Sequence, residues 1–174
     1  MAEYPDPRPP SPVLSELATA REEFLALRDS VNGAMLATLS KDGSPAASYA
    51  PLIWSDGNCY LFLSALAEHT QNLKLCPSIG LMLAEPEKKA AAFARKRITL
   101  QGEARTVPRQ TAEFEKVLAC FHQRFGKVMS IIEPLPDFQL FRISLKEGRF
   151  VRGFGQAYAL SGECLDELTH IGAG

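Results

Sequence analysis

Short, apolar or alternating segments closed off by turn signals fill most of this chain, and they limit its fold more than any other feature. Ala34 to Ser40 is an apolar run ended by Lys41-Asp42-Gly43. Pro45 to Trp54 follows, then Asp56-Gly57-Asn58, then Cys59 to Leu63. Tight turns between such segments predict an antiparallel meander. Ile79 to Ala84 is a wholly apolar strand, the pattern expected when both faces are covered. Arg97 to Val107 alternates cleanly: Ile98, Leu100, Gly102 and Ala104 face one way, while Arg97, Thr99, Gln101, Glu103 and Arg105 face the other. Phe138 to Leu145 is a further strand, with Lys146-Glu147-Gly148 as its turn. The strands do not alternate with helices in βαβ units, so the pattern predicts a mainly β, α+β domain: an antiparallel barrel with peripheral helices.

The last strand-like stretch is Arg149 to Leu160. Read as extended, one face carries Phe150, Arg152, Phe154, Gln156, Tyr158 and Leu160, and the other Val151, Gly153, Gly155, Ala157 and Ala159. The second face has almost no bulk. Two glycines there serve either a bulge or tight barrel corner, or the close approach of another backbone, a subunit or a flat ligand.

Helices are expected in three places. Ser11 and Pro12 make a helix start, and Val13, Leu17, Ala20, Phe24, Leu27 and Val31 form one apolar stripe running to about Arg28, with Asn32-Gly33 as the stop. Leu66 to Cys76 is a short helix closed by Pro77. Residues 110–125 are amphipathic, with Phe114, Val117, Leu118, Phe121 and Phe125 inward. With 174 residues the chain fits one domain, here 11–162, between a flexible arm at 1–10 and a tail at 163–174.

The formal net charge of -1 gives no reason to expect nucleic acid or bulk membrane attraction. No segment is long and apolar enough to span a bilayer, and Met1 to Pro10 lacks the apolar run of a signal peptide. The four cysteines, Cys59, Cys76, Cys120 and Cys164, form no C-x-x-C pair, which predicts reduced thiols and a cytoplasmic protein.

There is no P-loop, dinucleotide fingerprint, H-E-x-x-H or nucleophile elbow, so the three histidines are the scarce resource. His69 lies among Ser64, Thr70 and Asn72 after a strand, where the set either binds an anion at a helix start or caps a solvated turn. His122 belongs to helix packing or the surface. His170 sits in a Gly/Ala-rich tail that is either a frayed end or, with a reach of at most about 33–36 Å from Leu160, long enough to fold back or meet a second subunit. Arg95-Lys96-Arg97 is either a solvated strand entry or a patch for carboxylates or phosphates. Asp137, on the proline-stiffened loop Glu133 to Asp137, either caps a turn or orients a histidine.

Gly33-Ala34-Met35-Leu36-Ala37-Thr38-Leu39, Gly43, Pro51-Leu52 and Ser64-x-Leu66-Ala67-x-His69-Thr70-x-Asn72-Leu73 together resemble the flavin-binding split-barrel superfamily to which pyridoxamine 5′-phosphate oxidase belongs. Phe93-Ala94-Arg95-Lys96-Arg97, Leu135-Pro136-Asp137-Phe138, Phe150-Val151-Arg152-Gly153-Phe154-Gly155-Gln156-Ala157 and a histidine near the C-terminus are similar to its HugZ/HutZ-like haem-utilisation branch. The resemblance implies a homodimer of split barrels holding haem between subunits, with His170 on the iron. It implies propionates held by Arg97, Arg95 and Lys96, Gly153 and Gly155 beside the haem, and Asp137 as partner of the ligand histidine, across the dimer or within one chain. Such proteins bind haem for iron acquisition, and several degrade it with O₂ and an electron donor or reductase to a biliverdin-type product and iron. A non-catalytic carrier or store is one alternative. An FMN-dependent oxidoreductase is the other, with the flavin phosphate near Ser64, His69 and Thr70. There related flavoproteins carry Arg or Lys, whereas this chain has Glu68, which is unfavourable beside a phosphate.

Overall fold

The computed structural model describes residues 12–87, 94–153 and 155–171. The expected arm at 1–10, the Ser11 cap, Lys88-Lys89, Phe93, Phe154 and the last tail residues 172–174 lie outside the described residues. The elements in chain order are α1 (Pro12–Ser30), β1 (Gly33–Leu39), β2 (Pro45–Ser55), β3 (Asn58–Ser64), α2 (Glu68–Leu75), β4 (Ser78–Ala84), β5 (Arg97–Val107), α3 (Ala112–Phe125), α4 (Lys127–Ile132), β6 (Phe138–Gly153), β7 (Gln156–Ser161) and β8 (Glu167–Ile171).

All strand pairs are antiparallel, in the order β3-β2-β1-β4-β5-β6-β7-β8. A further pairing of β3 with β6, from Cys59↔Ile143 to Ser64↔Phe138, closes the first six into a barrel and leaves β7 and β8 as an extension. The mainly β split-barrel architecture expected from the sequence is therefore the one observed.

Two apolar clusters hold it together. The barrel interior takes alternate residues of its strands, such as Leu36, Leu61, Leu81, Ile98, Leu100 and Ile143, and is covered by Ala20, Phe24 and Leu27 of α1. A second cluster lies outside the barrel, where Ile53, Tyr60, Phe62 and Leu140 meet Phe114, Val117, Leu118 and Phe121 of α3 and Met129 of α4. β3 serves both clusters, so every residue from Cys59 to Leu63 is buried. α3 starts where Thr111 accepts from the Phe114 amide at 3.2 Å. All four cysteines are free, and burial pushes the Cys59 thiol up to about 12.

Three expectations are corrected. β4 is not covered on both faces: Ile79, Leu81 and Leu83 are buried, whereas Gly80, Met82 and Ala84 are half-buried on the outer side. Lys146-Glu147-Gly148 is not a turn. β6 runs straight through it, paired with β5 along its length, and absorbs the extra residue as a bulge opposite Gln101/Gly102. Gly148 is there for space, because a Cβ would come within 2.7 Å of Leu100 and 2.9 Å of Leu160. Finally, Arg149 to Leu160 is not one strand. It is a hairpin, with Phe150↔Tyr158 and Val151↔Ala157 paired and the turn beyond Gly153. Gly155 has φ +71, a backbone that favours glycine, and a Cβ at Gly153 or Gly155 would meet nothing within 4 Å. The small face is thus divided between two strands, and its glycines form the tip.

Phe150 is fully buried under Phe24, edge-on at 5.8 Å, and stacks on Tyr158 at 6.2 Å. Phe150→Ala should cost about 3–5 kcal/mol of stability in urea unfolding, the range for deleting a buried aromatic side chain.

Candidate functional site

The tail is a strand. β8 pairs with β7 from Ala157↔Ile171 to Ser161↔Glu167, which replaces the frayed end considered above. Arg21 on α1 fastens it by donating to the Asp166 carboxylate at 2.6 Å and to its carbonyl at 3.0 Å. The His170 ring stands edge-on to Tyr158, centroids 5.3 Å apart at 81°. Tyr158 is fully buried and reaches Glu16 of α1 with its hydroxyl at 3.4 Å. So His170 is exposed, its backbone is paired, its ring has a firm backstop, and its nitrogens have no hydrogen-bond partner among the described residues. That combination suits a ligand imidazole.

The basic run divides. Arg95 Nε donates to the Glu85 carbonyl at 2.6 Å, and the Glu85 side chain accepts from the Lys96 amide at 3.0 Å. Lys96 Nζ lies 3.0 Å from Glu23 of α1, which also takes Arg152 at 2.8 and 3.2 Å. Burial alone would raise the Glu23 pKa, but the hydrogen bonds and charges of Arg152 and Lys96 outweigh it and hold the carboxyl below its ordinary value. Two of the basic side chains on this rim are thus already neutralised from within the chain. The two arginines of the run have no carboxylate partner among the described residues; the Arg97 side chain donates there only to the Arg95 carbonyl at 3.3 Å. Arg149 likewise has no ion pair among the described residues.

Register decides which of these groups share a face. Directly paired residues point to the same side of an antiparallel sheet. Ile98, Phe150, Tyr158 and His170 form one rung, and Arg97, Val151, Ala157 and Ile171 the next. His170 therefore leaves the face that α1 covers, whereas Arg97 leaves the outer face. Asp137 is farther still. It precedes β6 at Phe138, while the His170 rung crosses β6 at Phe150, about 40 Å along the strand at 3.3 Å per residue. His170, Arg97 and Asp137 of one chain do not form a single cluster.

Asp137 is built into a different constellation. Ser64 Oγ donates to its Oδ2 at 2.6 Å, and the Ala65 amide donates to its carbonyl at 2.8 Å. Nearby, His69 Nδ1 lies 3.0 Å from Ser48 Oγ. Desolvation holds the His69 pKa below its ordinary value, against the opposing charge of Glu68. Thr70 is fully buried and its hydroxyl has no partner among the described residues, and Asn72 donates to Thr38 at 3.0 Å. The sequence set Ser64, His69 and Thr70 is thus split: Ser64 serves Asp137, and His69 serves Ser48. Ser48, Glu23 and Arg152 were not foreseen as partners. Their pairings span separations of 21 and 129 residues, and nothing local in the sequence signals them.

The outer face of β1, β2, β4 and β5 is an open groove of about 910 Å³ lined by Met35, Ala37, Leu39, Ala47, Met82 and Gln101 among others. Met35, Leu39 and Tyr49 are exposed on this side, Tyr49 by 61%. Contiguous apolar surface of that kind marks a binding or subunit face.

Comparison with known proteins agrees with this layout. Residues 20–152 match the family model described as pyridoxamine 5′-phosphate oxidase. The chain is 38% identical over 140 residues to the heme oxygenase HutZ of Vibrio cholerae, covering 80% of each. Among solved structures, ChuZ of Campylobacter jejuni superposes with a TM-score of 0.81 at 33% identity, over 89% of this chain and 63% of that one. The structure of HutZ described as the heme storage protein of Vibrio cholerae superposes with a TM-score of 0.68 at 32% identity, over 72% and 89%.

The His69 environment makes a prediction of its own. The neutral ring is favoured in the folded state, so the unfolded chain takes up the proton first as pH falls. The stability this group contributes is complete above its ordinary value of 6.5 and is lost as pH drops from there through the lower folded-state value. Urea midpoints measured down to about pH 5 should fall more steeply for the wild type than for His69→Gln. Equal slopes would show that the ring is not desolvated.

Proposed function

The chain belongs to the pyridoxamine 5′-phosphate oxidase family, and we propose that it is a HutZ-like, haem-binding member that acts in iron utilisation as a homodimer. The observation that carries the proposal is His170: an exposed imidazole with both nitrogens unbonded among the described residues, held against buried Tyr158 by a paired strand. A structural histidine at an edge strand has no need of such a setting, whereas a metal ligand requires a neutral nitrogen aimed outward from a fixed ring.

The remaining residues fit haem. Arg97 carries an unneutralised guanidinium that suits a propionate, because its planar fork pairs both oxygens. Arg95 and Lys96 stand behind it, the latter competing for Glu23. Gly153 and Gly155 leave the hairpin tip open next to the end of β8. Asp137 keeps one carboxylate oxygen on Ser64 and the other without a partner among the described residues. Since Asp137 and His170 lie at opposite ends of β6, Asp137 meets the ligand histidine of a second copy. The apolar outer groove is the surface on which two copies would associate.

Bound haem supplies iron and its redox chemistry, and with O₂ and an external electron donor the proposed outcome is a biliverdin-type product and free iron. The chain's own contribution is to fix and orient. Asp137 accepts the second N–H of the His170 imidazole of the other copy, setting its tautomer and raising its basicity. Arg97 would hold the macrocycle by one of its carboxylates.

The FMN alternative rests on one observation, the unpartnered buried hydroxyl of Thr70 at the start of α2. Against it, Ser64 and His69 are engaged elsewhere, and Glu68 occupies the first turn.

A titration with haemin followed by absorption tests the proposal. A Soret band should grow to one haem per site, and His170→Ala should weaken binding at least tenfold or displace the band, as expected on loss of an axial ligand. Asp137→Asn should retain haem but slow its loss with ascorbate and O₂ by about 10- to 100-fold, the usual effect of removing a ligand's hydrogen-bond partner. An unaltered Soret band in His170→Ala would overturn the ligand assignment. Haem that persists under O₂ and reductant in the wild type would make the protein a carrier.

A further inference from the structure

Asp137 sits on a segment that can hardly hold itself. Pro134 and Pro136 have no amide hydrogen, so the loop from Glu133 to Phe138 has few donors of its own, and among the described residues it offers its carbonyls only the Phe138 amide, to Leu135 at 3.3 Å. Arg109, on the connection between β5 and α3, adds the others. Its guanidinium donates to the Glu133 carbonyl at 3.1 Å from both terminal nitrogens, and to the Leu135 and Phe138 carbonyls at 3.0 Å each. The guanidinium also lies over the ring of Phe114, 5.3 Å from its centroid, and Phe114 is buried in the α3 cluster. Gln110, the next residue, has φ 65, a left-handed kink between Arg109 and the Thr111 cap. Glu133, at the start of the clamped loop, is paired in turn with His122 of α3.

We infer that Arg109 is the positioning residue for Asp137. Nη2 of the one guanidinium reaches three carbonyls that bracket the aspartate from residue 133 to residue 138, and Ser64 and Ala65 fix it from the β3 side. Together they hold the carboxylate in place before any ligand arrives, with one oxygen on Ser64 and the other without a partner among the described residues. Arginine suits the place because one planar group lies over the Phe114 ring and reaches the loop carbonyls at once, whereas a lysine ammonium has no planar face to stack there. This inference rests on the reading of Asp137 as partner of the ligand histidine.

Two readouts test it, neither of them turnover. In the haem-free protein, amide exchange at Ala65, Leu135 and Phe138 should accelerate by roughly tenfold or more in Arg109→Gln, since these amides report the loop. In the ferrous haem complex, the Fe–His stretching band should move to lower wavenumber in Arg109→Gln, toward its position in Asp137→Asn, as the histidine loses its acceptor. Arg109→Lys should behave as Arg109→Gln in both. If Asp137→Asn shifts the band and Arg109→Gln does not, Arg109 has no positioning role and the reading of Asp137 stands. If Asp137→Asn itself leaves the band in place, the reading of Asp137 fails and this inference fails with it. If Arg109→Lys keeps wild-type values, a charge at this place suffices without the planar group over Phe114, and the inference is overturned. Should Arg109→Gln not fold, Arg109→Lys decides on the same two measurements.

Discussion

The pairing of β3 with β6 is the contact on which the rest of the molecule depends. Its six-residue register, from Cys59↔Ile143 to Ser64↔Phe138, closes the barrel and removes two strand edges at once. It also makes β3 a wall shared by both apolar clusters, with Leu61 and Leu63 facing the barrel and Tyr60 and Phe62 facing α3. The same register brings Ser64 to Asp137, across 73 residues of chain. A slip of one residue would turn every side chain of β3 to the wrong cluster and separate that pair.

β6 then carries the consequences away from the barrel. It is 16 residues long, and only its first half is used in closure. The second half pairs with β5 on one side and β7 on the other, and β7 in turn holds β8 and His170. The strand thus has Asp137 at one end and the histidine rung at the other. Its length keeps the two apart within a chain.

Charge is distributed with the same economy. Glu23 gathers Lys96 and Arg152 onto α1, which fastens the helix to the rim and removes two cations from the surface. These pairs are half-buried, so their net contribution to stability is modest, and their effect is chiefly on which cations remain free. Arg97 and Arg149, on the other face, keep theirs. Of the three adjacent basic residues only Lys96 has a carboxylate partner among the described residues, while Arg95 and Arg97 each rest on a backbone carbonyl.

The alternation of Arg97 to Val107, the turn residues after Leu39 and Ser55, and the stripe Phe114, Val117, Leu118 and Phe121 each depend on near neighbours in the chain. They fixed those strands and helices, and with them the mainly β class, before any contact was known. Local signals failed where two devices have the same composition. Lys146-Glu147-Gly148 has the residues of a turn, but β5 was long enough to pair through it and made it a bulge. Gly153 and Gly155 are the residues of a weakened strand, and they flank the reversal between β6 and β7. The partners of the candidate site were illegible for a related reason. A hydrogen bond from Ser64 to Asp137, a clamp from Arg109 to the loop 133–138 and the choice of Glu23 for Lys96 rest on which strands lie side by side. Sequence alone set the periodicities, the scarce histidines and the family pattern that named Asp137, Arg97 and His170. Only the tertiary structure decided that these three leave one chain at different places, because strand register, and not proximity in sequence, determines the face and the end from which a side chain points.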